Sequence, residues 1–138
     1  VMEKVMCPFV FNMYYFCDPD GKTEYVWSKE KLPVDERTPY LGSFTFRDME
    51  CTDCEWAAGY FYGLPEMPVG SVTIENVRFT FKPDASSGHP AMMSYIDEEC
   101  KRGLYFNYVR KVHVKNVTME GQAGDEIIAI NVEEVSRQ

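Results

Sequence analysis

One eight-residue pattern of apolar and polar positions occurs three times along the chain, at residues 44–51, 72–79 and 112–119. Apolar residues occupy its first, third, sixth and eighth positions. The fifth position is polar in each copy: Asp48, Asn76 and Asn116. Alternation with a period of two predicts a strand on each side of this residue, and Asp or Asn predicts a bend because its side chain bonds to nearby backbone. The pattern therefore predicts three strand–bend–strand corners.

Short and almost wholly apolar runs alternate with these corners. They lie at residues 9–13, 60–64, 104–108 and 127–131. Each is predicted to be a parallel strand buried on both faces. Alternation of the two patterns is typical of successive faces of stacked coils, so we expect an all-β parallel solenoid of about three to four coils.

The first corner pattern is also visible in part at the N-terminus. Lys4 matches its polar position and Val5 the apolar position that follows, but no strand precedes them. A solenoid that starts naturally has a polar or helical cap over its open core, and Val1 and Met2 provide neither. We therefore expect the chain to begin inside a repeat, as a fragment of a longer protein.

Two segments interrupt the patterns and predict long loop insertions. Residues 17–41 and residues 82–103 are rich in proline, glycine and charged residues. Binding sites concentrate in long loops on rigid scaffolds, so the first insertion, with Tyr25 and Trp27, is the best candidate for a substrate-binding wall. The alternative is a surface flap that packs these aromatic side chains onto the coil.

Composition and charge narrow the range of partners. With 45% apolar, 26% charged and 14% aromatic residues, the chain is globular, and 138 residues predict a single domain. A net charge of −8 disfavours nucleic acid and anionic membrane surfaces as partners. No apolar run reaches the roughly 18 residues of a membrane span. An anionic polysaccharide would also be repelled unless a local basic pocket binds it, and the sequence does not make such a pocket evident.

Five cysteines form no disulfide framework. An odd number of free thiols favours a reducing compartment such as the cytoplasm, although the first residues cannot show whether a signal peptide precedes them. Cys51 and Cys54 form a single C-x-x-C motif, whereas a zinc site needs a second pair or nearby histidines. We therefore expect no metal site and no cofactor.

No residue of this chain is predicted to be catalytic. His89 lies in the second insertion without a nucleophile motif, and His113 lies on a strand where alternation turns it outward. The outward acidic residues do not share one repeat position, which favours a solvated surface over a catalytic pair. They are Glu50, Glu75, Glu120 and Glu133.

Several ordered runs resemble one enzyme family. They lie at residues 9–21, 33–34, 37–39, 62–68 and 103–106, ahead of residues 112–122. Together they resemble the C-terminal part of bacterial glycoside hydrolase family 28, the polygalacturonase-like pectin hydrolases. The resemblance implies a right-handed parallel β-helix, a pectic oligo- or polysaccharide as partner, and inverting hydrolysis of α-1,4-galacturonosyl linkages.

The same resemblance implies that the catalytic residues lie outside this chain. The family's Asn-Thr-Asp, Asp-Asp, Gly-His-Gly and Arg-Ile-Lys motifs are all absent here. A substrate-contacting tyrosine that follows these motifs corresponds to Tyr15, with Tyr14 as the alternative. Packing of both tyrosines at the mouth of the first insertion would explain them equally well.

A function of another class is also open. Exposed coil ends present unpaired strand edges and apolar core, which pair readily with other chains. The chain would then be a non-catalytic binding or assembly module that forms homo-oligomers through these ends.

Overall fold

The computed structural model describes residues 1–138. It is 51% strand and 6% helix, and its strands curl into a half-barrel of parallel strands. The strands are β1 (Met2–Glu3), β2 (Phe9–Asn12), β3 (Ser43–Cys54), β4 (Ala57–Tyr62), β5 (Val69–Phe81), β6 (Arg102–Glu120) and β7 (Ile127–Arg137). A 3-10 helix (Pro19–Lys22) and α1 (Glu24–Trp27) lie between β2 and β3. The predicted all-β class with parallel strands is confirmed.

All seven strands belong to one sheet, in the order β1-β3-β5-β6-β4-β2, with β7 also paired to β6. Strand β6 is long enough to pair with β4 over residues 102–107, with β5 over residues 109–120, and with β7 over residues 104–114. Every pairing is parallel. No helix in the structure is long and apolar enough to cross a membrane.

The three predicted corner repeats lie side by side in register. Val72 pairs with Phe44 on one side and with Val112 on the other. Phe79 pairs in the same way with Cys51 and Met119 at the far end of the repeat. The alternating apolar positions therefore build a continuous interior, as their period of two predicts.

The predicted bends are confirmed, and their polar residues are connected to each other. Asp48, Asn76 and Asn116 have φ values of 55°, 55° and 49°, in the left-handed region that Asn and Asp tolerate best. The Asn76 side-chain amide donates to Asp48 Oδ1 at 2.9 Å, and the Asn116 amide donates to Asn76 Oδ1 at 2.9 Å. A ladder of side-chain hydrogen bonds thus runs across β3, β5 and β6.

The second pattern forms β2, β4, part of β6 and the start of β7, but one predicted copy is shifted. Phe9 pairs with Gly59 and not with Tyr60, so the copy at residues 60–64 begins one residue too late. A β-carbon at position 59 would lie 2.7 Å from the Phe61 ring and 3.0 Å from Leu104, so a larger residue would force these buried side chains to move. Glycine interrupts the apolar pattern, which explains the error.

Burial on both faces is confirmed for β4, in which Ala57 to Phe61 are all buried. It is wrong for β7, where most side chains are partly or fully exposed. Strand β7 lies at an edge of the sheet, where it pairs with β6 on one side and with no strand on the other.

The predicted phase at the N-terminus is wrong. Met2 pairs with Cys51, which places Lys4 beside Asp53 and not at the position of Asp48. Lys4 and Asp53 have φ values of 56° and 54°, so both occupy a second left-handed bend that the repeat pattern did not reveal. Val135 pairs with Val112, so the end of β7 is a fourth, partial copy of the corner repeat that the sequence analysis missed.

The sheet interior is rich in aromatic side chains and thiols. Phe61 and Phe106 stack at 4.8 Å between ring centroids on neighbouring strands. Cys51 and Cys54 are fully buried, and burial raises their pKa values to about 11 and about 12. Both thiols therefore behave as small apolar core groups. All five cysteines are free thiols in the structure.

The two insertions meet each other on the outer face of β2, β4 and β6. Residues 13–42 and 82–101 contain no strand of the sheet. The Asn12 side-chain amide donates to the Met92 carbonyl at 2.8 Å. Tyr14, Tyr60, Leu64, Ala91 and Met93 form a small second core beneath the two insertions. This packing brings residues from both insertions to one surface.

Candidate functional site

The start of the first insertion is held in place by its own backbone and by the second insertion. Tyr15 and Met93 form an isolated antiparallel bridge, and the Phe16 N–H donates to the Met92 carbonyl at 3.3 Å. The 3-10 helix folds back onto this segment, because a β-carbon at Gly21 would lie 2.5 Å from the Tyr15 carbonyl oxygen. Only glycine allows this close approach.

Lys29 forms a second link between the insertions. Its Nζ donates to the Ser94 carbonyl oxygen at 2.5 Å. The same atom lies 5.2 Å from the ring centroid of Tyr14 and 5.6 Å from that of Tyr95. Burial lowers the pKa of Lys29. The hydrogen bond to the carbonyl oxygen and the two ring faces offset part of the hydration energy that this ammonium group loses on burial.

A pocket opens where the two insertions meet. It has a volume of about 460 Å³. We call it the lysine pocket, and its lining residues are Phe16, Gly21, Lys22, Trp27, Ser94 and Tyr95. The Trp27 and Tyr95 rings meet edge to face at 5.6 Å. The pocket therefore combines aromatic surface with one ammonium group and contains no carboxylate among its lining side chains.

Lys22 has no carboxylate within ion-pair distance, whereas most cations of the sheet are paired. On the sheet, Glu75 accepts from Arg47 at 3.1 Å and lies 3.3 Å from Lys115. Arg78 is likewise paired, with Glu50. In a chain with a net charge of −8, a cation without an acidic partner beside an aromatic pocket is suited to bind an anion. The sequence did not make this local basic pocket evident.

The two predicted substrate-binding tyrosines lie in different places. Tyr14 is 2% exposed, and its hydroxyl donates to the Gly63 carbonyl at 3.2 Å. Burial raises the pKa of Tyr14, and its ring borders a separate cavity of about 190 Å³ that also contains Glu30 and Glu66. Arg37 also lines this cavity but is paired with Asp35, so the two carboxylates leave the cavity unsuited to an anion.

Tyr15 is 43% exposed and borders an apolar pocket of about 380 Å³ with Trp56 and Met92. The neighbouring Cys17 side chain raises the pKa of Tyr15. The structure therefore separates the two tyrosines, and neither of them lines the lysine pocket.

The two aromatic residues of the first insertion that were predicted to form one substrate-binding wall line different cavities. Trp27 lines the lysine pocket, whereas Tyr25 lines the cavity beside Tyr14. Sequence reasoning missed Phe16, Lys22 and Tyr95. Phe16 directly follows Tyr15 and lies in the run that carries the family resemblance, which is a usable signal. No pattern in the second insertion singles out Tyr95.

Of the remaining candidates for chemistry, most acidic residues of the sheet and His113 are engaged in other contacts, and His89 is not. Glu50 and Glu120 both bind Arg78, at 3.0 and 3.1 Å. His113 shares a hydrogen bond of 2.6 Å with the Ser136 hydroxyl on the outer face of the sheet. His89 is exposed at the rim of the pocket that contains Tyr15.

Comparison with known proteins gives no family for this chain. No protein-family model, no curated protein and no solved structure matches it. A function for the chain therefore has to be argued from its own residues and from the geometry described above.

Proposed function

We propose that this chain binds pectic polysaccharide as the C-terminal, substrate-binding part of a polygalacturonase-like glycoside hydrolase. The observation that carries the proposal is the lysine pocket, in which Lys22, Trp27 and Tyr95 face one opening without a carboxylate. Aromatic rings bind the apolar faces of sugar rings, and an ammonium group binds a uronate carboxylate. The pocket thus has the chemistry that one galacturonate residue requires.

The fold supports the proposal in a general way. In-register stacking of Phe44, Val72 and Val112 across three strands is what successive coils of a right-handed parallel β-helix would produce. A polar ladder at the bend is expected for the same reason, because each coil repeats the position of the one before. The insertions then project from one face of the coils, where a long polymer can lie across them.

The chain's own role in this proposal is binding, and hydrolysis belongs to residues of the longer protein. Inverting hydrolysis needs one carboxylic acid and one carboxylate roughly 6.5–9.5 Å apart on either side of the bond. Glu50 and Glu75 on the outer face of the sheet are held in ion pairs with arginine. Neither is positioned as a free acid or base beside the lysine pocket.

Calorimetric titration with trigalacturonate tests the proposal. We expect Lys22→Ala to weaken binding by about fivefold, on the order of 1 kcal/mol, because a solvent-exposed charge contact is lost. Lys31→Ala is the matched control, since Lys31 is also an exposed lysine of the first insertion but does not line the pocket. Absence of binding by the unmodified chain, or equal binding by the Lys22 variant, would overturn the proposal.

A second candidate function is self-association through β7. The outer edge of β7 pairs with no strand, and Ile130 and Val135 on this strand are 44% and 46% exposed. Unpaired edges with exposed apolar side chains favour pairing with another chain. A second copy of this chain would satisfy both the backbone groups and the apolar side chains of β7.

A further inference from the structure

A second cleft shares Tyr95 with the lysine pocket. It has a volume of about 300 Å³. We call it the tyrosine cleft, and its defining residues are Tyr60, Tyr62, Tyr105, Asp97, Glu99 and Arg102. Tyr95 lines both the lysine pocket and the tyrosine cleft. A ligand longer than one sugar ring can therefore extend past Tyr95 from one to the other.

The sheet fixes the floor of the tyrosine cleft. Tyr60 on β4 pairs with Tyr105 on β6, and their rings stack at 4.6 Å with an interplanar angle of 12°. Tyr62 lies two residues after Tyr60 on the same outer face, with its centroid 6.3 Å from each of the other two rings. Because the three tyrosines stand on paired strands, their positions are set before any ligand binds.

The hydroxyl groups of this floor are available to a ligand. Those of Tyr60 and Tyr62 have no hydrogen-bond partner in the structure, and that of Tyr105 accepts from the Asn107 amide at 3.2 Å while keeping its own proton to donate. Burial is the largest cause that raises the pKa of Tyr62 to about 12, and it raises the pKa values of Tyr60 and Tyr105 as well. All three groups are therefore protonated donors at neutral pH.

The charges around the cleft exclude an anion. Arg102 donates to both carboxylate oxygens of Glu99, at 2.6 and 2.9 Å, so these two charges largely cancel. Asp97 is exposed at the rim and forms no ion pair. The cleft thus has a net negative charge, which repels a uronate but can accept hydrogen bonds from the hydroxyl groups of an uncharged sugar.

Two other occupants fit less well. A metal ion would need several carboxylate, cysteine or histidine ligands, and the structure contains no group of three such residues. An organic cation accepts no hydrogen bond, so it would leave the hydroxyl protons of Tyr60 and Tyr62 without an acceptor. Ile128 and Ile130 add an apolar wall that suits the carbon face of a sugar ring.

We infer that the tyrosine cleft is a subsite for an uncharged sugar residue, next to the uronate in the lysine pocket. This inference rests on the proposed function, and it specifies the substrate class. The ligand has a neutral sugar beside a uronate, so a polymer made only of uronates is not the best ligand. Tyr95 separates the two subsites, and Asp97 provides the discrimination against a second uronate.

Calorimetry with three oligosaccharides of equal length tests this inference. One contains only galacturonate, one alternates galacturonate with a neutral hexose, and one is wholly neutral. We expect the alternating ligand to bind about fivefold more tightly than the uronate homopolymer, since one like-charge contact is avoided. Tyr62→Phe should weaken binding of the alternating ligand more than that of the homopolymer, because a sugar-facing hydroxyl is lost.

Charge removal at the rim gives the sharpest test. Asp97→Asn should bring the affinity of the homopolymer to within about twofold of that of the alternating ligand. Glu98→Gln is the matched control, because Glu98 is the adjacent acid, accepts from the Ser87 hydroxyl and does not line the cleft. Equal binding of both ligands by the unmodified chain, with no effect of Asp97→Asn, overturns the inference while the proposed function stands.

The remaining outcomes separate the two proposals. Binding of the neutral ligand alone, weakened by Tyr62→Phe, would overturn the proposed function but support the neutral-sugar subsite. Failure of all three ligands to bind overturns both. Binding of the homopolymer that Lys22→Ala weakens supports the proposed function whatever happens at Asp97.

Discussion

Lys29 Nζ donates a hydrogen bond to the Ser94 carbonyl oxygen at 2.5 Å and so joins two segments that lie 65 residues apart in sequence. Its ammonium group lies near the faces of Tyr14 and Tyr95, within the packing between the insertions. Trp27 and Tyr95, which line the lysine pocket, belong to the segments that this bond connects. The geometry of the pocket therefore depends on a contact at its back that no ligand needs to touch.

Replacement of Lys29 should weaken ligand binding much more than it lowers the stability of the whole fold. Lys29→Met keeps the apolar stem of the side chain but loses the charge and the bond to Ser94. We expect trigalacturonate binding to weaken by about tenfold, and the free energy of unfolding in urea to fall by about 1 kcal/mol or less. Lys31→Met is the control for loss of charge alone. Unchanged binding by the Lys29 variant would show that the pocket does not need this link.

Gly21 offers an independent test of the same geometry. In Gly21→Ala the new β-carbon would meet backbone atoms of Tyr15 and Phe16 at 2.5 and 2.6 Å, so the 3-10 helix has to move away. We expect oligosaccharide binding to weaken by at least about fivefold, and stability to fall by about 1–3 kcal/mol. Gly42→Ala is the control, because its nearest neighbour would be Tyr40 at 3.6 Å, an ordinary contact. Equal behaviour of the two variants in calorimetry and urea unfolding would contradict the close approach at Gly21.

The corner repeats were predictable because their pattern depends on backbone geometry that is local. Alternation about Asp48, Asn76 and Asn116 defines which side chains face inward, and parallel stacking needs only that the copies be similar. The copy at Gly59 was misplaced because a tertiary contact with Phe61 and Leu104 determines the residue there.

The lysine pocket was not predictable in the same way. Trp27 and Tyr95 meet through contacts between two irregular insertions, and neither insertion has a period that places its side chains. The choice between Tyr14 and Tyr15 also depended on packing, since adjacent residues in a loop turn to different cavities. Sequence reasoning could name the insertions as binding segments but not select the residues that meet.

The polar ladder at the bends makes a prediction about Asn76. Asn76→Ala removes the hydrogen bonds to Asp48 and Asn116. It also places alanine, which tolerates the left-handed region less well than asparagine, at a φ of 55°. We expect a loss of about 2 kcal/mol in the free energy of unfolding, roughly half of it from the left-handed backbone. Asn76→Gly removes the same hydrogen bonds without the backbone cost, so it should be less destabilising in urea titrations. A glycine variant as unstable as the alanine variant would contradict this division.

The exposed edge of β7 predicts association at high protein concentration. We expect light scattering after size exclusion to show a dimer that dissociates on dilution, because edge pairing buries Val135 and satisfies free backbone groups. Val135→Lys should shift the protein to monomer, since a charge on an edge strand opposes pairing. Val34→Lys, at an exposed position in the first insertion, is the control. A monomer at all concentrations would remove the self-association candidate.

Buried phenols and thiols predict that the fold loses stability in alkaline solution. Burial raises the pKa of Tyr62 from 10.0 to about 12 and that of Cys51 from 9.0 to about 11. Between the ordinary and the raised values the folded chain holds more protons than the unfolded chain, so the free energy of unfolding falls as pH rises. Stability should therefore be constant below about pH 9 and decline from there through pH 11 to 12.

Urea midpoints measured across this pH range under reducing conditions test whether stability falls as pH rises. They also test whether Tyr62 contributes to that fall. Tyr62→Phe removes one half-buried phenol whose pKa is raised in the folded state, so its decline above about pH 10 should be shallower than that of the unmodified chain. Tyr40→Phe should leave the profile unchanged, because Tyr40 is an exposed tyrosine outside the core. If Tyr62→Phe and Tyr40→Phe gave the same profile, the phenol of Tyr62 would not be a source of the alkaline instability.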